Sequence, residues 1–109
     1  MPNRTAAEQV RLVREYVQQH LTERISVRSI ARSLGRNASY LNTFYTEQTG
    51  ECITAYIRRC KVCRAERLLR ETDRSLAEIC ASLGYSDQSH FSRAFKAQTG
   101  MTPGAYRKK

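Results

Sequence analysis

The chain has 109 residues and a formal charge of +9, from 19 Lys and Arg against 10 Asp and Glu. That is one domain's worth of sequence, and the balance favours a polyanionic partner, the more so because Arg, suited to bidentate pairing with phosphates and guanine edges, supplies fifteen of the cations. No apolar run approaches the ~20 residues that cross a bilayer, and Met1-Pro2-Asn3-Arg4 lacks the hydrophobic stretch of a secretion signal, so a cytosolic chain with reduced cysteines is expected.

Val10, Val13, Val17 and Leu21 recur at helical steps and predict an amphipathic first helix. Ser26 caps a short second helix with Val27, Ile30, Ala31 and Leu34 inward, closed by Gly35. A third opens at Asn37 or Ala38, turns Leu41, Phe44 and Tyr45 inward and ends at Gly50. The longest helix runs from Ile53 to about Thr72; its apolar positions are too spread for one stripe, as befits a helix that packs against a neighbour at each end. Ser75-Leu76-Ala77-Glu78 is a capping box that opens a fifth helix with Leu76, Ile79, Cys80 and Leu83 inward, closed by Gly84. Asp87 caps the sixth, with Phe91, Ala94 and Phe95 inward until Gly100, and Thr102 caps a last short one with Pro103 at its first position. No segment alternates with period two. The expected fold is all-α with about seven helices.

Two stretches of this plan repeat. The run Ser26 to Gly35 returns as Ser75 to Gly84, and after one extra residue Gln48-Thr49-Gly50 and Ala55-Tyr56 return as Gln98-Thr99-Gly100 and Ala105-Tyr106. Each copy is a short helix, a Gly-containing turn and a second helix, the pattern of a helix-turn-helix, whose second helix enters the DNA major groove. At ~100° per residue, Ser39, Thr43 and Thr46 lie opposite the core stripe of the third helix, with Asn42 on the flank. In the sixth, Ser89, Arg93 and Lys96 point outward, Ser92 lies on the flank and Gln88 in the first turn. Arg93 is long enough to pair with guanine O6 and N7, and Gln88 suits adenine N6 and N7; Ser39, Asn42 and Thr43 are short and uncharged. The expected base readers are therefore Ser39, Asn42, Thr43, Gln88, Ser89, Ser92 and Arg93. Lys96, Arg58, Arg59 and Lys61 are candidates for phosphate contact.

The segment SLAEICASLGYSDQSHFSRAFKAQTGMTPGAY, Ser75 to Tyr106, resembles the signature region of AraC/XylS-type transcriptional regulators, and the likeness extends from about Val10 to Arg107. The resemblance implies a DNA-binding domain over residues 6–109, with helix-turn-helix subdomains at about 6–50 and 74–107 joined by a linker helix at 51–73. It implies a double-stranded DNA operator as partner, a bacterial nucleoid setting, and base reading by Ser39, Asn42 and Thr43 in the first copy and Gln88, Ser89 and Arg93 in the second. RNA polymerase is a further candidate partner and the chain is expected to be a monomer; activation and repression both stay open. Three positions depart from the family: Thr43 and Thr46 stand where Arg or Lys is common, and Lys61 where Arg is usual. The alternatives of another class are a helical protein-interaction module and a thiol- or metal-responsive regulator.

The last alternative rests on Cys60-Lys61-Val62-Cys63. A zinc site needs two more ligands at suitable spacing, and His20 and His90 are isolated, so no metal or cofactor is expected. Cys60 and Cys63 fall at core-facing spacings from Tyr56 and Ile57, and Cys80 takes the packing position of Ala31. Asp87, Ser89 and His90 match a hydrolase triad in composition only, because adjacent Ser89 and His90 diverge by ~100° on a helix. No enzymatic activity is expected. The arginines at 58, 59, 64, 67, 70 and 74 suggest a solvated helix face with Glu66–Arg70 and Glu71–Arg74 pairs, and Arg107-Lys108-Lys109 a frayed basic tail.

Overall fold

The computed structural model describes residues 5–108, and the expectations that fall on Met1 to Arg4 and on Lys109 lie outside them. Among the described residues there are seven α-helices and no strand: α1 (Ala6–Gln19), α2 (Val27–Leu34), α3 (Ala38–Thr49), α4 (Ile53–Glu71), α5 (Leu76–Ser82), α6 (Gln88–Thr99) and α7 (Pro103–Lys108). The all-α expectation holds. Five of the starts follow from capping side chains. Thr5, Ser26, Asn37, Ser75 and Asp87 each accept a hydrogen bond from an amide in the first turn of their helix, satisfying a donor that has no intrahelical acceptor.

The chain divides into two compact units. The first holds α1, His20 and Ile25–Ile57, so it contains α2, α3 and the opening turn of α4. Its buried side chains are Val13 and Val17 from α1, Ile30 and Ala31 from α2, Leu41 and Tyr45 from α3, and Ile53, Tyr56 and Ile57 from α4. Tyr45 is wholly buried, yet its hydroxyl accepts from Arg14 Nε at 3.2 Å, so the phenol is not stranded in the core. Gln18 Nε2 donates to Tyr56 Oη at 3.3 Å.

The second unit holds Leu21–Arg24 and the chain from Arg58 onward. Its core is Val62, Ala65 and Leu69 from α4, Ile79, Cys80 and Leu83 from α5 and its end, and Phe91 and Phe95 from α6, flanked by Leu68, Leu76, Tyr85 and Tyr106. The aromatic rings interlock, with Tyr85 edge-on to Phe91 at 5.1 Å and Tyr106 edge-on to Phe95 at 5.4 Å. Truncating either Phe to Ala would cost about 3–5 kcal/mol, so this cluster is what holds the orientation of α6.

The structure revises the limit of α1. The apolar spacing carried that helix to Leu21, but it ends at Gln19 with His20 leaving helical geometry, and Leu21 is buried in the other unit. The spread of apolar positions on α4 has the expected cause. Ile53, Tyr56 and Ile57 serve one core, and Val62, Ala65 and Leu69 serve the other.

Candidate nucleic-acid interface

Each unit contains a short helix, a turn and a longer helix, built with similar local chemistry. In the first, Ser26 and Ser29 form a reciprocal capping box, Ser29 N–H donating to Ser26 Oγ at 3.0 Å and Ser26 N–H to Ser29 Oγ at 3.1 Å. Gly35 then closes α2 at φ +67°, and Arg36 N–H donates to Ala31 O at 2.8 Å. Asn37 Oδ1 accepts from Tyr40 N–H at 3.0 Å and starts α3. In the second, Ser75 Oγ accepts from Glu78 N–H at 3.1 Å while Glu78 Oε1 accepts from Ser75 N–H at 3.0 Å. Hydrogen bonding from Ser75 to the carboxylate, its backbone amide first and its hydroxyl second, holds the Glu78 carboxyl below its usual range. Asp87 Oδ1 accepts from Ser89 N–H at 2.8 Å and starts α6. The Asp87, Ser89 and His90 set thus opens a helix through backbone amides, and the His90 ring rests 5.8 Å from that of Tyr85.

Leu41 and Tyr45 on α3, like Phe91 and Phe95 on α6, are fully buried, which fixes the face that each helix turns outward. On α6 that face carries Gln88, Ser89, Arg93 and Lys96, all exposed, with Ser92 half-buried beside them. The side chains of Gln88, Arg93 and Lys96 have no hydrogen-bond or ion-pair partner among the described residues, so long polar groups stand ready for an external ligand. On α3 the outward face carries Ser39 and Thr43. Asn42 is half-buried, and its Oδ1 accepts from Ile53 N–H at 3.2 Å, where it serves the start of α4. Its acceptor is therefore committed inside the unit, which counts against the base-reading role expected for it. Thr46 turns its hydroxyl back onto Asn42 O at 2.8 Å.

Lys61 requires a correction. Expected to touch phosphate, it is only 5% exposed, and its ammonium donates to the carbonyls of Glu23 and Leu83 with the Tyr85 ring 5.6 Å away. Desolvation drives its pKa below the ordinary lysine value, against the opposing pull of Glu23. It is an internal cross-link. Arg58 and Arg59 are exposed on α4, as phosphate contacts would need to be.

Cys63 also departs from expectation. The spacing placed it in the core, whereas it is exposed and Cys60 is half-buried. Desolvation, and then Glu66 and Cys60, push the Cys63 thiol up, which runs against a reactive thiolate. Cys80 is buried, in keeping with its packing position. No group of three or more His, Cys, Asp or Glu able to hold a metal ion occurs among the described residues, and none of their helices is long and apolar enough to cross a membrane.

Of the basic end, Arg107 is tied to α4 where a frayed tail was expected. Arg107 donates through Nε to Leu69 O at 3.3 Å and through Nη2 to Thr72 O at 3.2 Å, covering carbonyls at the end of α4. Arg70 donates to Tyr106 Oη at 3.0 Å, and Arg67 pairs with Glu71 across a helical turn at 3.6 Å.

The sequence of residues 30–109 matches the family described as a helix-turn-helix domain. The chain belongs to the AraC-type helix-turn-helix family. Proteins of this family are DNA-binding transcription regulators. This AraC-type chain is 30% identical over 102 residues to the HTH-type transcriptional activator RhaR of Yersinia pseudotuberculosis, which covers 94% of the chain but 35% of RhaR. It spans a minor part of the curated relatives it matches. Among solved structures, the C-terminal domain of AraT, a response regulator from Geobacillus stearothermophilus, superposes with a TM-score of 0.88 at 30% identity, over 92% of this chain and 84% of that one. The DNA-binding domain of AdpA, a global transcriptional factor solved in complex with a target DNA, has a TM-score of 0.85 at 24% identity over 92% of this chain and 90% of that one; it shares the fold.

Proposed function

We propose that this chain reads double-stranded DNA with sequence preference, as the DNA-binding part of a bacterial transcription regulator, and that α3 and α6 enter successive segments of the major groove. The observation that carries the reading is the outward face of α6, where Gln88, Arg93 and Lys96 are exposed and unpartnered on a helix fixed by Phe91 and Phe95. Arg93 takes guanine, Gln88 takes adenine, Ser89 and Ser92 assist, and Lys96, Arg58 and Arg59 hold phosphates. Ser39 and Thr43 supply the first copy's contacts. In domain terms, helix-turn-helix regions at about 6–50 and 74–107 are joined by 51–73. The setting is the cytoplasmic nucleoid and the chain acts as a monomer on DNA; where it activates, RNA polymerase is the further partner. The target DNA bound by AdpA, together with the charge of +9, supports the choice of ligand.

Selection from a random duplex library at stated salt tests this. The expected result is one enriched site with two protected segments ~10 bp apart, a single helical turn. Protection of one segment alone would refute double insertion, and absence of enrichment would refute sequence preference.

A further inference from the structure

One side chain on α3 is assigned no task by the core stripe or by the expected readers. Tyr40 is 54% exposed, the most exposed large apolar side chain among the described residues. Its amide is engaged at Asn37 Oδ1, but its phenol hydroxyl has no partner among those residues. The ring is held rather than loose. It stacks on Phe44 one turn later, with centroids 6.1 Å apart and planes 20° from parallel. On the helical wheel Tyr40 lies about 60° from Thr43, on the border between the outward face and the half-buried Phe44.

The neighbours on that face leave it a role. Asn42 has committed its acceptor to Ile53, and Thr46 has turned its hydroxyl inward. Apart from Tyr40, α3 then presents Ser39 and Thr43 outward, both short, and one turn beyond Thr43 the exposed Glu47, an anion that phosphate repels; α3 carries no cation. Such a helix needs something longer to hold its position against the duplex. A ring fixed at the border of the reading face, ending in an unused donor, suits the phosphate wall of the groove better than its floor, where base edges lie.

We infer that Tyr40 is a DNA-backbone contact, its hydroxyl donating to a phosphate oxygen beside the groove that α3 enters. This rests on the DNA-reading function proposed above, which its test must keep separate. Tyr40 thereby sets the position of the first reader, as distinct from choosing a base.

The experiment measures the full chain and Tyr40→Phe on the duplex that wild type selects from a random library, on a shuffled duplex, and over a salt series. Removing one hydrogen bond to a charged oxygen should weaken binding roughly tenfold on both duplexes alike. The selected site should be the same, and the slope against salt unchanged, because a neutral phenol releases no counterion. Binding equal to wild type would overturn the inference, as would a changed preference at a single base pair, which would make Tyr40 a base reader. If wild type itself failed to distinguish the two duplexes, the DNA-reading proposal would fall and the inference with it. An unfolding midpoint equal to wild type shows that the exposed hydroxyl is not needed for folding, and a lowered one would overturn the assignment by making it structural.

Discussion

The helices α3 and α6 occupy the same place in a duplicated plan, yet they meet solvent with different chemistry. Both hang on two fully buried residues one turn apart, Leu41 and Tyr45 in one, Phe91 and Phe95 in the other. Outward, α6 presents Gln88, Arg93 and Lys96, whereas α3 presents Ser39, Tyr40 and Thr43. The inward positions stay apolar in both copies because each core must exclude water, although Leu41 and Phe91 differ in size. The outward side chains are under no such constraint and are free to differ. The same split between shared frame and private detail appears at the turns. Gly35 and Gly84 hold equivalent places at φ +67° and +77°, but a Cβ on Gly35 would meet nothing within 4 Å, and one on Gly84 would lie 2.7 Å from the backbone of Glu23.

The glycines give the sharpest way to break the comparison. Gly35→Ala should cost about 1 kcal/mol, for the left-handed backbone alone, and Gly84→Ala about 3 kcal/mol, because backbone must also shift. Urea midpoints of the two variants would measure the difference, and equal losses would mean that the turns are interchangeable. Next in size, Arg93→Ala should weaken binding by roughly 1–3 kcal/mol and relax preference at one base pair, while Thr43→Ala on the first reader costs under about 1 kcal/mol. Binding isotherms on single-base variants of the selected site would show this; uniform weakening by Arg93→Ala would make it a phosphate contact. Lys96→Ala should lower the slope of log affinity against log salt by about one, with preference kept. An unchanged slope would remove Lys96 from the phosphate contacts.

The smallest effect concerns pH. The Glu78 carboxyl titrates below its ordinary value of 4.5 in the folded chain. Its capping contribution is thus present above the unfolded pKa and is lost as pH falls through the folded one. Glu78→Gln should flatten that part of the acid unfolding curve, and a curve identical to wild type would deny the capping box its role.

Much of the fold was legible because its signals are local. Ser26, Ser75 with Glu78, and Asp87 each act within three residues, and Gly35 acts on the turn it closes. The outward placement of Arg93 and Lys96 was equally legible, since helical phase alone decides it. What spacing could not show was where a side chain finds a distant partner. Lys61 reaches Glu23 and Leu83, Arg107 reaches Leu69 and Thr72, and Asn42 reaches Ile53. Each looked like a surface polar group until the fold brought those carbonyls and amides to it. Tyr40 went unassigned for the opposite reason. Its spacing of four from Phe44 imitates a core stripe, and only its place beside Thr43 on the wheel hinted that it faces outward.

The short segment Leu21–Arg24 lies between α1 and α2 in the chain but belongs to the unit that begins again at Arg58. There Glu23 supplies one of the two carbonyls that hold the Lys61 ammonium, and Arg24 Nη2 donates to Ser86 Oγ at 3.2 Å. The two copies are therefore interleaved along the polypeptide, so the second cannot be transplanted as a contiguous cassette. A fragment starting at Arg58 would carry every residue of its reader and still leave a buried cation short of an acceptor.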